Sequence, residues 1–159
     1  MKHLFLVRHG QYDAQSDREP LTEVGRKQIN SIAIQIKEIL NGLNPYSTYL
    51  ASSKEQRAVE SAEIIGKALG IQFPIKLSAL QVNDRCISGP TLDFLIDNVF
   101  EDAIILIGHA ELLQYGRRFC DMRNIAGNGF DACEKGEAIH IDLENKMSYA
   151  LKPKIGKLK

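Results

Sequence analysis

The sequence lacks a net charge. Its 159 residues carry 20 lysines and arginines against 20 aspartates and glutamates, so the formal charge at pH 7 is zero. With no overall field to attract them, neither a nucleic acid nor a membrane surface is an expected partner. The length predicts a single domain over residues 1–159, large enough to bury a core without metal ions or disulfides.

Cysteines are few, and long apolar runs are absent. Cys86, Cys120 and Cys133 show no CxxC spacing, and an odd number suits reduced structural thiols in a cytoplasm. The apolar run near the start covers only Leu4 to Val7, too short for a signal peptide or a membrane span. We therefore expect the mature protein to begin at Met1 and to remain in the cytoplasm.

Metal-ligand spacing of histidine, cysteine, aspartate and glutamate is also missing, as are internal repeats and low-complexity segments. The chemistry is therefore predicted to need no metal ion and no cofactor. No glutamate occurs between Leu77 and Pro90. The part from Gln81 to Pro90, which contains Asp84, shows turn-forming residues and no periodicity, and we expect this loop to be exposed.

The segments that are present alternate between strand and helix patterns. Apolar runs predict strands at 4–7, 49–51 and 103–107, and an edge strand is predicted within 73–80. Helical spacing follows each of the three apolar runs and recurs over 91–100. The alternating pattern of 137–152 predicts a hairpin that turns at 144–146. Thr22 is predicted to cap the first helix, and Ser52 or Ser53 the second. This order predicts a three-layer α/β/α sandwich with a mixed, mostly parallel central sheet.

Four side chains are predicted to meet at one edge of that sheet. Arg8 and His9 end the first strand, His109 ends a later one, and Arg57 lies in the first turn of a helix. Because functional crevices in such sheets lie beyond the carboxyl ends of the strands, these residues should form a cradle for an anion.

The chemistry of this cradle suits phosphate. Arginine binds a phosphoryl group in a bidentate geometry that lysine cannot reproduce. A neutral imidazole oriented through its other nitrogen can attack phosphorus and form a phosphohistidine. Of the two histidines, His9 is the better placed nucleophile, since Arg8 and Gly10 flank it.

Four motifs, "LVRHG", "PLTEVGRKQ", "SSKEQRAVESA" and "ILIGH", together resemble the histidine phosphatase superfamily, which has the phosphoglycerate mutase-like fold. The resemblance spans roughly the first 110 residues. It implies that His9 is the phosphorylated nucleophile and that Arg8, Arg57 and His109 form the phosphate pocket. The short chain is most similar to the small phosphohistidine phosphatases of the SixA type.

One departure from the family bears on the substrate. Many members that cleave phosphate esters carry a glutamate in the loop after the third strand, and it is missing here. Ester cleavage gains roughly 10²–10⁴-fold from a positioned acid, whereas phosphohistidine can leave as a neutral imidazole. The substitute acids in the sequence are Asp84 and Glu111.

Three functions remain open at this stage. The leading hypothesis is a metal-independent phosphatase that acts through His9 on phosphohistidine of a partner protein, such as a histidine phosphotransfer domain. The second is a phosphomonoesterase for small phosphorylated metabolites that uses Asp84 or Glu111 as acid. The third is a phosphate-binding pseudophosphatase that serves as an interaction domain.

The other ionisable residues are given structural interpretations. His3 and His140 lie in strand patterns without evident companions, so both are interpreted as structural or exposed. The helix carboxylates Glu55, Glu60 and Glu63 are interpreted as solvated surface.

Overall fold

The computed structural model describes residues 2–83 and 87–156, which contain seven strands and four α-helices. The strands are β1 (His3–Arg8), β2 (Thr48–Ser52), β3 (Ile75–Lys76), β4 (Ala103–Gly108), β5 (Ala126–Gly127), β6 (Ala138–Asp142) and β7 (Met147–Leu151). The helices are α1 (Glu23–Ile39), α2 (Gln56–Leu69), α3 (Gly89–Asn98) and α4 (Ala110–Met122).

All seven strands join one sheet in the order β3-β2-β4-β1-β6-β7-β5. The strands from β3 to β1 run parallel, β6 pairs antiparallel with both β1 and β7, and the short β5 is parallel to β7. The predicted sandwich with a mixed, mostly parallel sheet is confirmed, and so are the edge strand and the terminal hairpin.

The helices cover both faces of the sheet. Successive side chains of β1 point to opposite faces, so Phe5 packs with the buried residues of α1 and α2, and Leu6 packs with those of α3 and α4. Leu4 to Val7 are completely buried, which explains their uninterrupted apolar sequence.

The predicted caps have different outcomes. The Thr22 hydroxyl accepts a hydrogen bond from the Gly25 amide at 3.1 Å, as expected of an N-cap. The predicted serine cap of α2 is wrong, because Glu55 occupies the cap position, and the Glu55 side chain makes no capping hydrogen bond. Ser53 instead turns its hydroxyl toward His109.

The start of α1 is pressed against the chain that leaves β1. A Cβ atom on Gly10 would lie 2.5 Å from the carbonyl oxygen of Gly25, and one on Gly25 would lie 2.0 Å from that of Gln11. Only glycine permits this approach of one backbone to another.

None of the helices in the described residues has the length and apolar character needed to cross a bilayer.

Candidate active site

The two predicted site histidines lie side by side at the carboxyl ends of neighbouring strands. Because β1 and β4 are parallel and Arg8 is paired with Gly108, His9 and His109 emerge at the same level of the sheet. Their ring centroids are 5.1 Å apart in an edge-to-face arrangement, and both residues are buried.

The ring of His9 is held in one tautomer by two partners of fixed polarity. Its Nδ1 is 2.8 Å from the Gly10 carbonyl oxygen, which can only accept, so Nδ1 carries the proton. Its Nε2 is 3.2 Å from Nε of Arg57, which can only donate, so Nε2 presents a lone pair.

Burial lowers the pKa of His9 to about 3 despite the opposing effect of the Gly10 carbonyl, and His109, Arg57 and Arg8 lower it further. The imidazole is therefore neutral at physiological pH. A neutral ring with a fixed lone pair is the form that can act as a nucleophile.

Arg57 is the second residue of α2 and reaches across the site to His9. Its guanidinium lies 4.5 Å from the ring centroid of Tyr12, which therefore supports it by a cation–π contact. The start of α2 also places the positive end of the helix dipole beside this guanidinium, which favours an anion there.

Arg8 is the last residue of β1 and donates from Nη1 to the Cys133 carbonyl. Its Nε is buried and has no hydrogen-bond partner among the described residues. A buried N–H of a cation without a partner is a donor available to an anion in the site.

His109 faces a hydroxyl and a carboxylate. Its Nε2 is 3.0 Å from Oγ of Ser53 and 3.1 Å from Oε2 of Glu55. Burial opposes ionisation of Glu55, but hydrogen bonds from Ser53, from its own amide and from His109 outweigh it and lower the pKa of Glu55. Since an ionised carboxylate only accepts, Nε2 of His109 carries a proton.

A second carboxylate enters the site from the loop between β1 and α1. Glu19 forms an ion pair with Nη1 of Arg57 and has a backbone φ of +48°. The interpretation of Glu55, Glu60 and Glu63 as solvated surface is therefore wrong for Glu55, which contacts His109, and for Glu60, which accepts the Leu21 amide at 2.7 Å. Glu63 is exposed as expected.

The segment from Cys133 to Glu137 closes the site on the side of Arg8. The Glu137 carboxylate accepts the amides of Cys133 and Glu134 at 2.8 and 3.0 Å and so fixes this turn. The Gly136 amide donates to the His9 carbonyl at 2.9 Å. The turn therefore holds the carbonyl that anchors Arg8.

Of the two substitute acids, Asp84 lies outside the described residues. Glu111 is in the first turn of α4, and no described hydrogen bond or ion pair links its carboxylate to His9, Arg8, Arg57 or His109. The structure thus brings together the four predicted site residues and adds Glu19, Ser53, Glu55 and Tyr12, which sequence reasoning missed.

The missed residues left only a weak signal in the sequence. Tyr12 follows the motif "LVRHG", Glu19 directly precedes "PLTEVGRKQ", and Ser53 and Glu55 lie within "SSKEQR". Closeness to the motifs is therefore the signal that could have identified them. Among the described residues, no three histidine, cysteine, aspartate or glutamate side chains gather closely enough to hold a metal ion.

Comparisons with known proteins give a family match and a shared fold. A model of the histidine phosphatase superfamily (branch 1) matches residues 4–81. The chain is 35% identical over 79 residues to the mitochondrial serine/threonine-protein phosphatase Pgam5 of Caenorhabditis briggsae. That alignment covers 50% of this chain and 26% of the relative, so the chain spans about a quarter of the relative's length.

Similar solved structures cover nearly the whole chain at low identity. A protein histidine phosphatase SixA complexed with tungstate is 19% identical, with a TM-score of 0.63 over 95% of this chain and 97% of its own. A mycobacterial glucosyl-3-phosphoglycerate phosphatase complexed with VO3 is 15% identical, with a TM-score of 0.65 over 96% and 99%. A phosphoserine phosphatase variant from Entamoeba histolytica, in complex with phosphoserine, is 14% identical, with a TM-score of 0.59 over 94% and 95%. These similarities establish a shared fold.

Proposed function

Because the chain belongs to the histidine phosphatase superfamily, we propose that it is a metal-independent phosphatase that transfers a phosphoryl group through His9. The preferred substrate in this proposal is phosphohistidine on a partner protein. The observation that carries it is the single tautomer of His9, whose lone pair at Nε2 lies beside Arg57. A single domain over residues 1–159 and a cytoplasmic location belong to the same proposal.

The reaction has two steps. Nε2 of His9 forms a bond to phosphorus while the bond from phosphorus to the leaving nitrogen breaks, and the leaving imidazole takes up a proton. Water then attacks phosphorus, which releases inorganic phosphate and restores neutral His9. In this proposal Arg8, Arg57 and His109 bind the phosphoryl oxygens in both steps, which is supported by the closeness of all three to His9.

The leaving group is the reason to favour phosphohistidine over a phosphate ester. An alkoxide requires a proton from a positioned acid, whereas a phosphorylated imidazole can be protonated on its own ring. Glu111 makes no described contact with the four residues of the cradle, and the segment from Leu77 to Pro90 contains no glutamate.

The test is to trap the phosphoenzyme. Wild-type protein mixed with a labelled phosphohistidine protein and quenched should retain label that is stable in base and lost in acid. His9→Ala should retain none, and His140→Gln, which changes a buried histidine away from the cradle, should label normally. Wild-type protein that hydrolyses the substrate without such an intermediate would overturn the mechanism.

The second candidate is a phosphomonoesterase for small metabolites. The phosphatases of phosphoserine and of glucosyl-3-phosphoglycerate among the similar structures favour it, since their names give small-molecule substrates. If this candidate is correct, either Asp84→Asn or Glu111→Gln removes the acid, and that variant should lower ester turnover by about 10²–10⁴-fold. Ester turnover slower than phosphohistidine turnover and insensitive to both substitutions would reject it. Phosphate binding without turnover of either substrate would identify a pseudophosphatase.

A further inference from the structure

The least expected group in the cradle is the carboxylate of Glu19. It forms an ion pair with Nη1 of Arg57, whose Nε donates to the reactive nitrogen of His9. The Arg57 side chain is 15% exposed and that of Glu19 is 40% exposed, so the pair is partly accessible to solvent. One negative group is therefore present where the proposed substrate brings a doubly negative one.

Hydrogen bonds of the neighbouring residues fix the position of Glu19 in the loop. The Asp13 amide donates to the Pro20 carbonyl at 2.9 Å, which closes the loop, and Glu60 of α2 fixes the following residue by accepting the Leu21 amide. Glu19 itself has a φ of +48°, a left-handed conformation that is unfavourable for a glutamate. Strain of this kind persists where the surroundings impose it, and it is common at ligand sites.

This carboxylate affects anions according to their charge. An arginine offers donors in a planar fork, and here one N–H is directed to His9 and another to Glu19. A phosphoryl group that binds Arg57 must displace the carboxylate or lie beside it. In either case the opposition grows with each further negative charge on the guest, because like charges at short range repel strongly in a partly buried site.

We propose that Glu19 is a specificity-determining residue that acts as a charge filter. It weakens the binding of phosphorylated compounds that carry a second anionic group near phosphorus, and it favours phosphoryl groups attached to a neutral or cationic leaving group. An imidazole that gains a proton as it leaves is such a group, and a carboxylate near it stabilises the added charge. The inference rests on the proposed function, because it assigns the selectivity of that same pocket.

Calorimetric titration with inorganic phosphate tests the filter without turnover. Glu19→Gln should bind phosphate about tenfold more tightly than wild type, since it removes one repulsive charge. Asp17→Asn is the matched control, because it removes the same charge from an exposed position in the same loop. It should change the affinity by less than about twofold, as expected of a screened surface charge. Glu19→Gly, which also relieves the positive φ, should behave like Glu19→Gln.

A pair of phosphate esters tests the selectivity itself. Glycerol 3-phosphate and 3-phosphoglycerate differ in one carboxylate, and both can be titrated into His9→Ala so that neither is hydrolysed. Adding Glu19→Gln to that variant should raise the affinity for 3-phosphoglycerate about fivefold more than the affinity for glycerol 3-phosphate.

Each outcome separates the filter from the function. Equal phosphate affinity in wild type and Glu19→Gln, or an unchanged ratio for the two esters, overturns the filter and leaves the phosphatase proposal intact. A folded protein that binds no phosphate with or without Glu19 overturns both. A phosphoenzyme that fails to form while Glu19→Gln still tightens phosphate binding overturns only the proposed function.

Discussion

A pair of neighbouring histidines lies at each end of strand β1, and the two pairs have different surroundings. At the carboxyl end His9 lies beside His109, with ring centroids 5.1 Å apart. At the amino end His3 lies beside His140 of β6, with ring centroids 5.2 Å apart and a nitrogen–nitrogen distance of 3.0 Å. The interpretation that His3 and His140 lack companions is therefore wrong.

Burial acts similarly on one histidine of each pair, His140 and His9. It lowers the pKa of His140 to about 4, with a further contribution from His3, and it lowers the pKa of His9 to about 3. His140 is stacked on Phe5 and Tyr149, at centroid distances of 4.6 and 5.6 Å, and no described arginine contacts it. A neutral imidazole is thus common to both ends, and the adjoining guanidinium groups are what distinguish the site.

The largest expected effect comes from removing one histidine of each pair. His9→Ala should lower kcat by about 10⁴-fold or more, because it removes the proposed nucleophile, with little change in folding. His140→Ala should keep near-normal turnover and lower the free energy of unfolding by about 1–3 kcal/mol, because it leaves a cavity between aromatic rings. Turnover and urea unfolding measure the two effects. A similar loss of turnover in both variants would contradict the proposed difference in function between the two histidine pairs.

The second effect comes from changing the arginine beside His9. Arg57→Lys should lower kcat/KM by about 10²-fold, because lysine replaces the planar fork that contacts both His9 and the phosphoryl group. The matched control is Arg123→Lys, since Arg123 also lies over an aromatic ring, that of Phe119, and pairs with Asp97, away from the site. Equal losses in the two variants would mean that the fork at Arg57 has no special role.

The third effect is a pH dependence of the free energy of unfolding, to which His9 and His140, one histidine of each pair, should both contribute. His9 and His140 have folded pKa values below the 6.5 of the unfolded chain, so the unfolded chain binds more protons between those values. Their contribution lowers the free energy of unfolding as the pH falls from 6.5 toward 4, by up to about 1.4 kcal/mol per pH unit for each imidazole.

Unfolding in urea at several pH values between 5 and 6.5 measures this slope, above the range in which Glu55 and Asp142 with their lowered pKa values titrate. His140→Gln and His9→Gln should each flatten the slope to a similar extent. A variant with the wild-type slope would show that its histidine is not buried in the neutral form.

The smallest effect concerns the partner of His109. Glu55→Gln keeps an acceptor near Nε2 but removes its charge, which should lower kcat about fivefold, the difference between a charged and a neutral hydrogen bond. Glu63→Gln, on the exposed face of the same helix, is the control and should leave kcat unchanged. An unchanged kcat in Glu55→Gln would show that the charge of Glu55 has no part in the reaction.

Residues that end strands were predictable from the sequence. The run from Leu4 to Val7 specifies a strand covered on both faces, and the parallel-sheet rule places whatever follows it at the edge where ligands bind. His9 and His109 could therefore be brought together without coordinates. Arg57 followed from its place at the start of a helix after a strand.

Residues that depend on register or on loop conformation were not predictable. The contact of His3 with His140 requires that β6 pair with β1 in one register, and hairpin periodicity alone does not say which neighbour the hairpin joins. Glu19 contacts Arg57 from a backbone with a positive φ, which its residue type disfavours. The sequence predicts Ser52 or Ser53 as a local helix cap, whereas the Ser53 hydroxyl contacts His109, which is distant in the sequence.

The mutual approach of Gly10 and Gly25 has a consequence for how this sequence can diverge. The oxygen that selects the tautomer of His9 belongs to Gly10, and main chain packed against main chain sets its location. Substitutions in the hydrophobic layers can therefore accumulate without rotating the ring, whereas a single methyl group at either glycine would reorient it. The geometry of the candidate site is in this respect independent of substitutions in the core.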